Sequence, residues 1–128
     1  MGDLVLGVDH VSVLVQDTRR SLDFYRSVLG LEVDPQRPEL GYPGAWLRAG
    51  TQAIHLIQLP SPDPVAGRPA HGGHDRHIAL RVADLNALRF RLDVSGIAHT
   101  VSRSGRKAVF CRDPDGNALE FVEAKGGG

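Results

Sequence analysis

Asp75-Arg76-His77-Ile78-Ala79-Leu80-Arg81-Val82 is the stretch whose reading decides the fold. Ile78, Leu80 and Val82 alternate with His77, Ala79 and Arg81, the period of a strand with one face turned to a core. The other face opens with an imidazole and carries a guanidinium further along. An earlier stretch, Asp9-His10-Val11-Ser12-Val13-Leu14-Val15, has the same shape, with Val11, Val13 and Val15 on the apolar face and His10 and Ser12 opposite. Two strands that each open with a histidine on the less apolar face suggest two half-sites. The functional argument turns on whether those histidines meet.

Each strand is followed by a helix signal. In the first half Asp17 or Thr18 offers an N-cap, Leu22, Tyr25 and Leu29 follow at helical spacing, and Gly30 supplies the stop. In the second half Asp84 caps a helix that carries Leu85, Leu88 and Leu92 and stops near Gly96. After the first helix the pattern predicts an extended piece at 31–33, a loop broken by Pro35, Pro38, Gly41 and Pro43, and a hairpin of 45–49 and 53–59 about Gly50-Thr51-Gln52. After the second it predicts extended chain at 97–101 and strands at 107–112 and 118–123, joined by the turn Asp113-Pro114-Asp115-Gly116-Asn117. Residues 60–73, rich in proline and glycine, read as a linker or lid, and Lys125 with Gly126, Gly127 and Gly128 as a frayed tail.

The halves align residue by residue. His10 matches His77 and Asp17 matches Asp84 at one offset; one gap later Leu22, Phe24, Val28 and Gly30 match Leu88, Phe90, Val94 and Gly96. A repeat of this kind points to a duplicated unit of strand, helix and about three strands. The expected organisation is one α+β domain over 1–128, with a first module at about 6–60, a linker at about 61–74 and a second module at about 75–124.

Composition narrows the function classes. The chain has 128 residues, 41% hydrophobic and 23% charged, which suits a globular domain with a core. Fifteen Lys and Arg balance 15 Asp and Glu, so charge gives no argument for a nucleic-acid or acidic-membrane partner. Cys111 is the only cysteine, so no intrachain disulfide forms. Met1 to Gly7 lacks the basic start and the apolar length of a signal peptide, and no apolar run reaches the roughly 20 residues of a membrane span. A soluble, cytoplasmic protein is the expectation.

The last strand of each half places a polar residue in an apolar setting: His55 between Ile54 and Leu56, and Glu120 between Leu119 and Phe121. Each half would then offer one ligand from its first strand and one from its last. Imidazole nitrogens with a carboxylate suit Zn²⁺, Ni²⁺, Co²⁺, Mn²⁺ or Fe²⁺, and a carboxylate buried without a partner is costly. His10, His55, His77 and Glu120 are the candidate metal ligands, with Glu120 also the candidate catalytic residue. By strand parity Ser12, Arg48, Ile57, Arg81 and Arg106 reach the substrate pocket. His71, His74 and His77, at a spacing of three, read as a weaker separate metal tract, and Gly72 and Gly73 suggest loose chain there.

These residues resemble the vicinal oxygen chelate superfamily, which includes glyoxalase I, methylmalonyl-CoA epimerase, extradiol dioxygenases, fosfomycin-modifying thiol transferases and bleomycin-binding proteins. The resemblance is carried by Val8-Asp9-His10-Val11-Ser12-Val13, by Asp17 through Tyr25 to Gly30-Leu31, by His77 with Arg81-Val82-Ala83-Asp84, and most tellingly by Phe110-Cys111-Arg112-Asp113-Pro114-Asp115-Gly116-Asn117-Ala118-Leu119-Glu120-Phe121. It implies paired βαβββ modules in a half-open, barrel-like mixed sheet around a metal, with helices outside. It also implies ligand roles for His10, His77 and Glu120. His55 stands where bacterial glyoxalase I has a glutamate, which departs from the strict glyoxalase pattern. The implied function is a metal-dependent lyase or isomerase acting on a small oxygen-chelating substrate, as a homodimer. An Fe²⁺ extradiol dioxygenase and a metal-free drug-binding protein are the alternatives.

Overall fold

A computed structural model describes residues 4–124; the expected tail at Lys125 to Gly128 lies outside the described residues. The first half comprises β1 (His10–Leu14), α1 (Thr18–Leu22), a wider π-type segment (Asp23–Val28), β2 (Glu32–Val33), β3 (Gly44–Ala49) and β4 (Gln52–Ile57). The second comprises β5 (His77–Val82), α2 (Leu85–Val94), β6 (His99–Val101), β7 (Ala108–Arg112) and β8 (Ala118–Glu123). They form two four-stranded sheets of matching order, β1-β4-β3-β2 and β5-β8-β7-β6. In each, the first strand lies parallel to the last and the remaining pairs are antiparallel. The fold is α+β, with helices outside two mixed sheets and no closed barrel among the described residues.

The caps are those the sequence signals. Asp17 accepts from the Arg19 and Arg20 amides and Asp84 from the Ala87 amide, which satisfies helix N-terminal donors. Gly30 and Gly96 follow the helices with positive φ, 81° and 69°, a conformation that disfavours a side chain. The first helix widens after Leu22, so that the Leu29 amide donates five residues back to the Phe24 carbonyl. Consecutive aromatics, Phe24 and Tyr25, both bury in that widened turn.

Strand parity then divides the two faces. Val13 and Val15, with Leu47, Ile54 and Leu56, bury from the first half; Val109, Cys111, Leu119 and Phe121 bury from the second beneath Leu85, Leu88 and Leu92. These residues form one core cluster across both halves. The opposite face of each sheet carries the candidate chemistry. The repeat is not kept at every position: Phe24 is buried, while its equivalent Phe90 is exposed on the outer side of α2.

The turn joining β7 to β8 fastens the halves together. Tyr25 donates its hydroxyl to Asp113 Oδ2 at 2.7 Å, Ser21 and Arg20 reach Asp115, and the Asn117 side-chain amide donates to the Leu14 carbonyl. Beyond joining two strands, it grips α1, the segment after it and the end of β1. The linker differs from expectation at its far end. His71 and Gly72 are buried, and Gly72–His74 forms a 3₁₀ turn against β7 and β8. The two glycines allow close packing rather than slack: a Cβ on Gly73 would lie 2.9 Å from His71 Nε2.

Candidate functional site

In the second half, β5 opens with His77, and β8 runs beside it with Ala118 opposite His77 and Glu120 opposite Ala79. Glu120 is buried, and its chain neighbours Leu119 and Phe121 point into the core. His77 Nδ1 lies 2.9 Å from the Asp75 carbonyl oxygen. A carbonyl only accepts, so Nδ1 carries the proton and Nε2 is the free position of the neutral ring. Nε2 stands 3.3 Å from Glu120 Oε1. Two acceptors at that separation repel unless a proton or a cation lies between them.

The backbone that orients His77 is itself clamped. Asp75 accepts from Arg112 Nη1 at 2.8 Å and from Arg68 Nε at 2.9 Å. The Arg112 hydrogen bond, with Arg68 beside it, holds the Asp75 carboxyl well below the usual carboxylate range. Arg112 also donates to the carbonyls of Gly116 and Pro69, which ties the linker to the β7–β8 turn.

In the first half His10 Nδ1 lies 2.7 Å from Asp9 Oδ1. The carboxylate accepts, so this ring too presents Nε2 as its free nitrogen. His55 lies stacked between two rings: His10 with centroids 4.0 Å apart and planes at 16°, and Trp46 at 4.4 Å and 7°. Burial, then the nearby His10, pushes the His55 imidazole below its ordinary value. Lone pairs of stacked rings lie in nearly parallel planes. For His10 and His55 to share one ion, His55 must turn out of its stack on Trp46.

The expectation that one chain closes four ligands around a shared ion is not what the coordinates hold. His10 meets His55, and His77 meets Glu120, but among the described residues no three His, Cys, Asp or Glu side chains come together as a metal site. The donors have the right chemistry for a divalent ion, yet neither pair supplies the three protein ligands that such a site ordinarily takes. His71, His74 and His77 do not form a separate centre either: His71 is buried against Phe110, with Nδ1 2.7 Å from Thr100 Oγ1.

The pocket residues also divide. Ser12, Arg48 and Ile57 line a cleft of about 710 Å³ with His10 and His55; Arg81 and Arg106 line a different one, of about 650 Å³, at the far end of β5. Arg48 lies near Glu32 and Asp34 at 3.7 and 3.6 Å. Sequence reasoning passed over Arg37, Tyr42 and Trp46, which also line the larger cleft. Trp46 had a signal, its place in a strand opposite His55; Arg37 and Tyr42 lie in a loop with no period to read.

Two four-stranded mixed sheets of matching order recur in known proteins. The family model of the Glyoxalase/Bleomycin resistance protein/Dioxygenase superfamily matches residues 7–121. The chain belongs to this superfamily. Among superfamily relatives, Glyoxylase I 4 of Arabidopsis thaliana is 33% identical over 89% of this chain and 68% of its own length. Lactoylglutathione lyase of Haemophilus influenzae is also 33% identical, over 91% of each chain. A crystal structure described as a glyoxalase family protein from Bacillus anthracis superposes with a TM-score of 0.80 at 28% identity, covering 98% of this chain and 100% of that one. No helix among the described residues is long and apolar enough to cross a membrane.

Proposed function

We propose that this chain is a metal-dependent enzyme of the glyoxalase, lyase–isomerase type, acting on a small substrate that offers two neighbouring oxygens. The observation that carries the reading is the pair His77 Nε2 and Glu120 Oε1, 3.3 Å apart, with His77 Nδ1 held by the Asp75 carbonyl. A proton or a divalent ion between them satisfies both, and His10 presents a second free Nε2 of the same kind. His10, His77 and Glu120 would hold a divalent ion when a second copy sets its second half against the first half of this one. The proposed assembly is therefore a homodimer whose two sites each draw on both chains. A bound ion would supply Lewis acidity to developing negative charge on substrate oxygen. Glu120, shielded from water, would take the proton from substrate carbon and return it.

A second reading has one observation behind it. With His55 stacked on Trp46, the remaining set is two histidines and one carboxylate, the donor set of Fe²⁺ oxygenases. Hemithioacetal isomerisation and catechol ring opening, assayed on the same preparation, separate the two.

The test of the metal reading is metal content and affinity. Protein purified without added metal should carry a divalent ion. His77→Ala and Glu120→Gln should each weaken binding by about 100-fold or more, the loss expected when one of three ligands is removed. Retention of the ion by both variants would sink the assignment.

A further inference from the structure

The cleft of about 710 Å³ that contains His10 and His55 is of a size that suits a small-molecule ligand. Its wall is built from flat rings. His10, His55 and Trp46 stand in a parallel row, and Tyr42 lines the same cavity. Such a wall favours a ligand with a flat, unsaturated body.

Two acids, Asp9 and Asp34, and two arginines, Arg37 and Arg48, line it, so the formal charges cancel and the difference lies in how they are paired. Asp9 and Asp34 are the acids on the lining, and both are engaged: Asp9 with His10 at 2.7 Å, Asp34 with Arg48 at 3.6 Å and with the Gln36 amide at 2.9 Å. Arg37 lines the cavity too, and among the described residues it has no carboxylate within ion-pair distance. One of its terminal nitrogens donates to the Tyr42 carbonyl at 2.8 Å, and its guanidinium lies 5.4 Å from the centre of the Tyr42 ring. Its Nε is the one buried side-chain nitrogen or oxygen among the described residues without any partner. Native proteins rarely leave such a donor unmet without a reason. Nε is itself closed off, but the second terminal nitrogen, Nη1, has no partner among the described residues and is not sealed in this way, and a guanidinium facing no carboxylate is suited to a planar anion there.

We infer that this cavity takes an anionic ligand with a flat, unsaturated body, its anion held by Arg37 and its body against the row of rings that ends in Trp46. The inference deepens the proposed function by naming a substrate class, and it rests on that reading only for the use to which the cavity is put. Its test needs no metal. Trp46 is the only tryptophan in the chain, so its emission reports occupancy of the cavity directly. Protein stripped of metal with a chelator is titrated with cinnamate and, separately, with cinnamamide, which has the same flat body without the charge.

Cinnamate should bind about tenfold tighter than the amide, the size of one charge-assisted hydrogen bond. Arg37→Gln should bring cinnamate to the level of the amide while leaving amide binding unchanged, and Arg37→Lys should restore part of the preference. Arg89→Gln, on α2, controls for overall charge and should leave it intact. Equal affinity for the two compounds, a preference that survives Arg37→Gln, or no saturable change in Trp46 emission would each overturn the inference. A metal-free protein in the preceding test overturns the enzymatic reading and leaves this result standing.

Discussion

His55 is held on both faces, by His10 and by Trp46, and that determines what its removal should do. A phenyl ring keeps the stack and deletes the nitrogen donor. His55→Phe should therefore hold a divalent ion within about threefold of the parent, while His10→Ala loses about 100-fold, because His10 is covered on one face only and has its Nδ1 fixed by Asp9, which leaves Nε2 free. Calorimetric titration with Zn²⁺ checks this, and equal losses in the two variants would show that His55 leaves its stack to bind. At this scale the sequence was informative about identity and silent about direction. Alternation in β1, β4, β5 and β8 put His10, His55, His77 and Glu120 on the faces away from the core. Nothing in that alternation says that one imidazole lies flat on an indole, or that a loop arginine has an unmet Nε. Those facts depend on rotamers and on residues distant in sequence.

Among the elements, the β7–β8 turn and the first helix act as a unit. Burial above all, and then the charge of Asp113, push the Tyr25 phenol well above its ordinary value. Burial likewise raises the Asp113 carboxyl, against the hydrogen bonds it receives from Tyr25 and Asn117. The folded state thus favours the neutral phenol. That contribution is complete below the unfolded phenol's value of about 10 and is lost as pH climbs from there toward the folded value. Wild-type protein should lose stability above about pH 10. Tyr25→Phe should lack that share of the alkaline loss and be about 2 kcal/mol less stable at neutral pH, having left a buried acceptor one donor short. Denaturant melts across pH measure both, and an unchanged alkaline slope in the variant would refute the account. The elements were legible because caps, stops and alternation are local: Asp17, Asp84, Gly30 and Gly96 act within a few residues of themselves. The packed end of the linker was not, because proline and glycine look the same in slack chain and in chain pressed against Phe110 and Ala118.

For the whole molecule, duplication told which residues are equivalent and left open how far apart they stand. Two equivalent half-sites are compatible with closure inside one chain or between two, and the coordinates keep them as separate pairs. The distinction has a direct experiment. His10→Ala and His77→Ala chains, each unable to hold the ion alone, are mixed in equal amounts and allowed to exchange. If sites form between copies, one of the two sites in each mixed dimer is intact, and about a quarter of the wild-type metal content should return. No recovery after confirmed exchange would place the whole site within one chain. The clamp of Tyr25, Asp113 and Asn117 has one more consequence. Because the second repeat grips the first through side chains and a shared core, the covalent joint at residues 61–67 is not what keeps them in register. A protease that nicked this exposed stretch would produce two fragments that remain one particle, so the gene is a natural candidate for a split reporter whose pieces reassemble on their own.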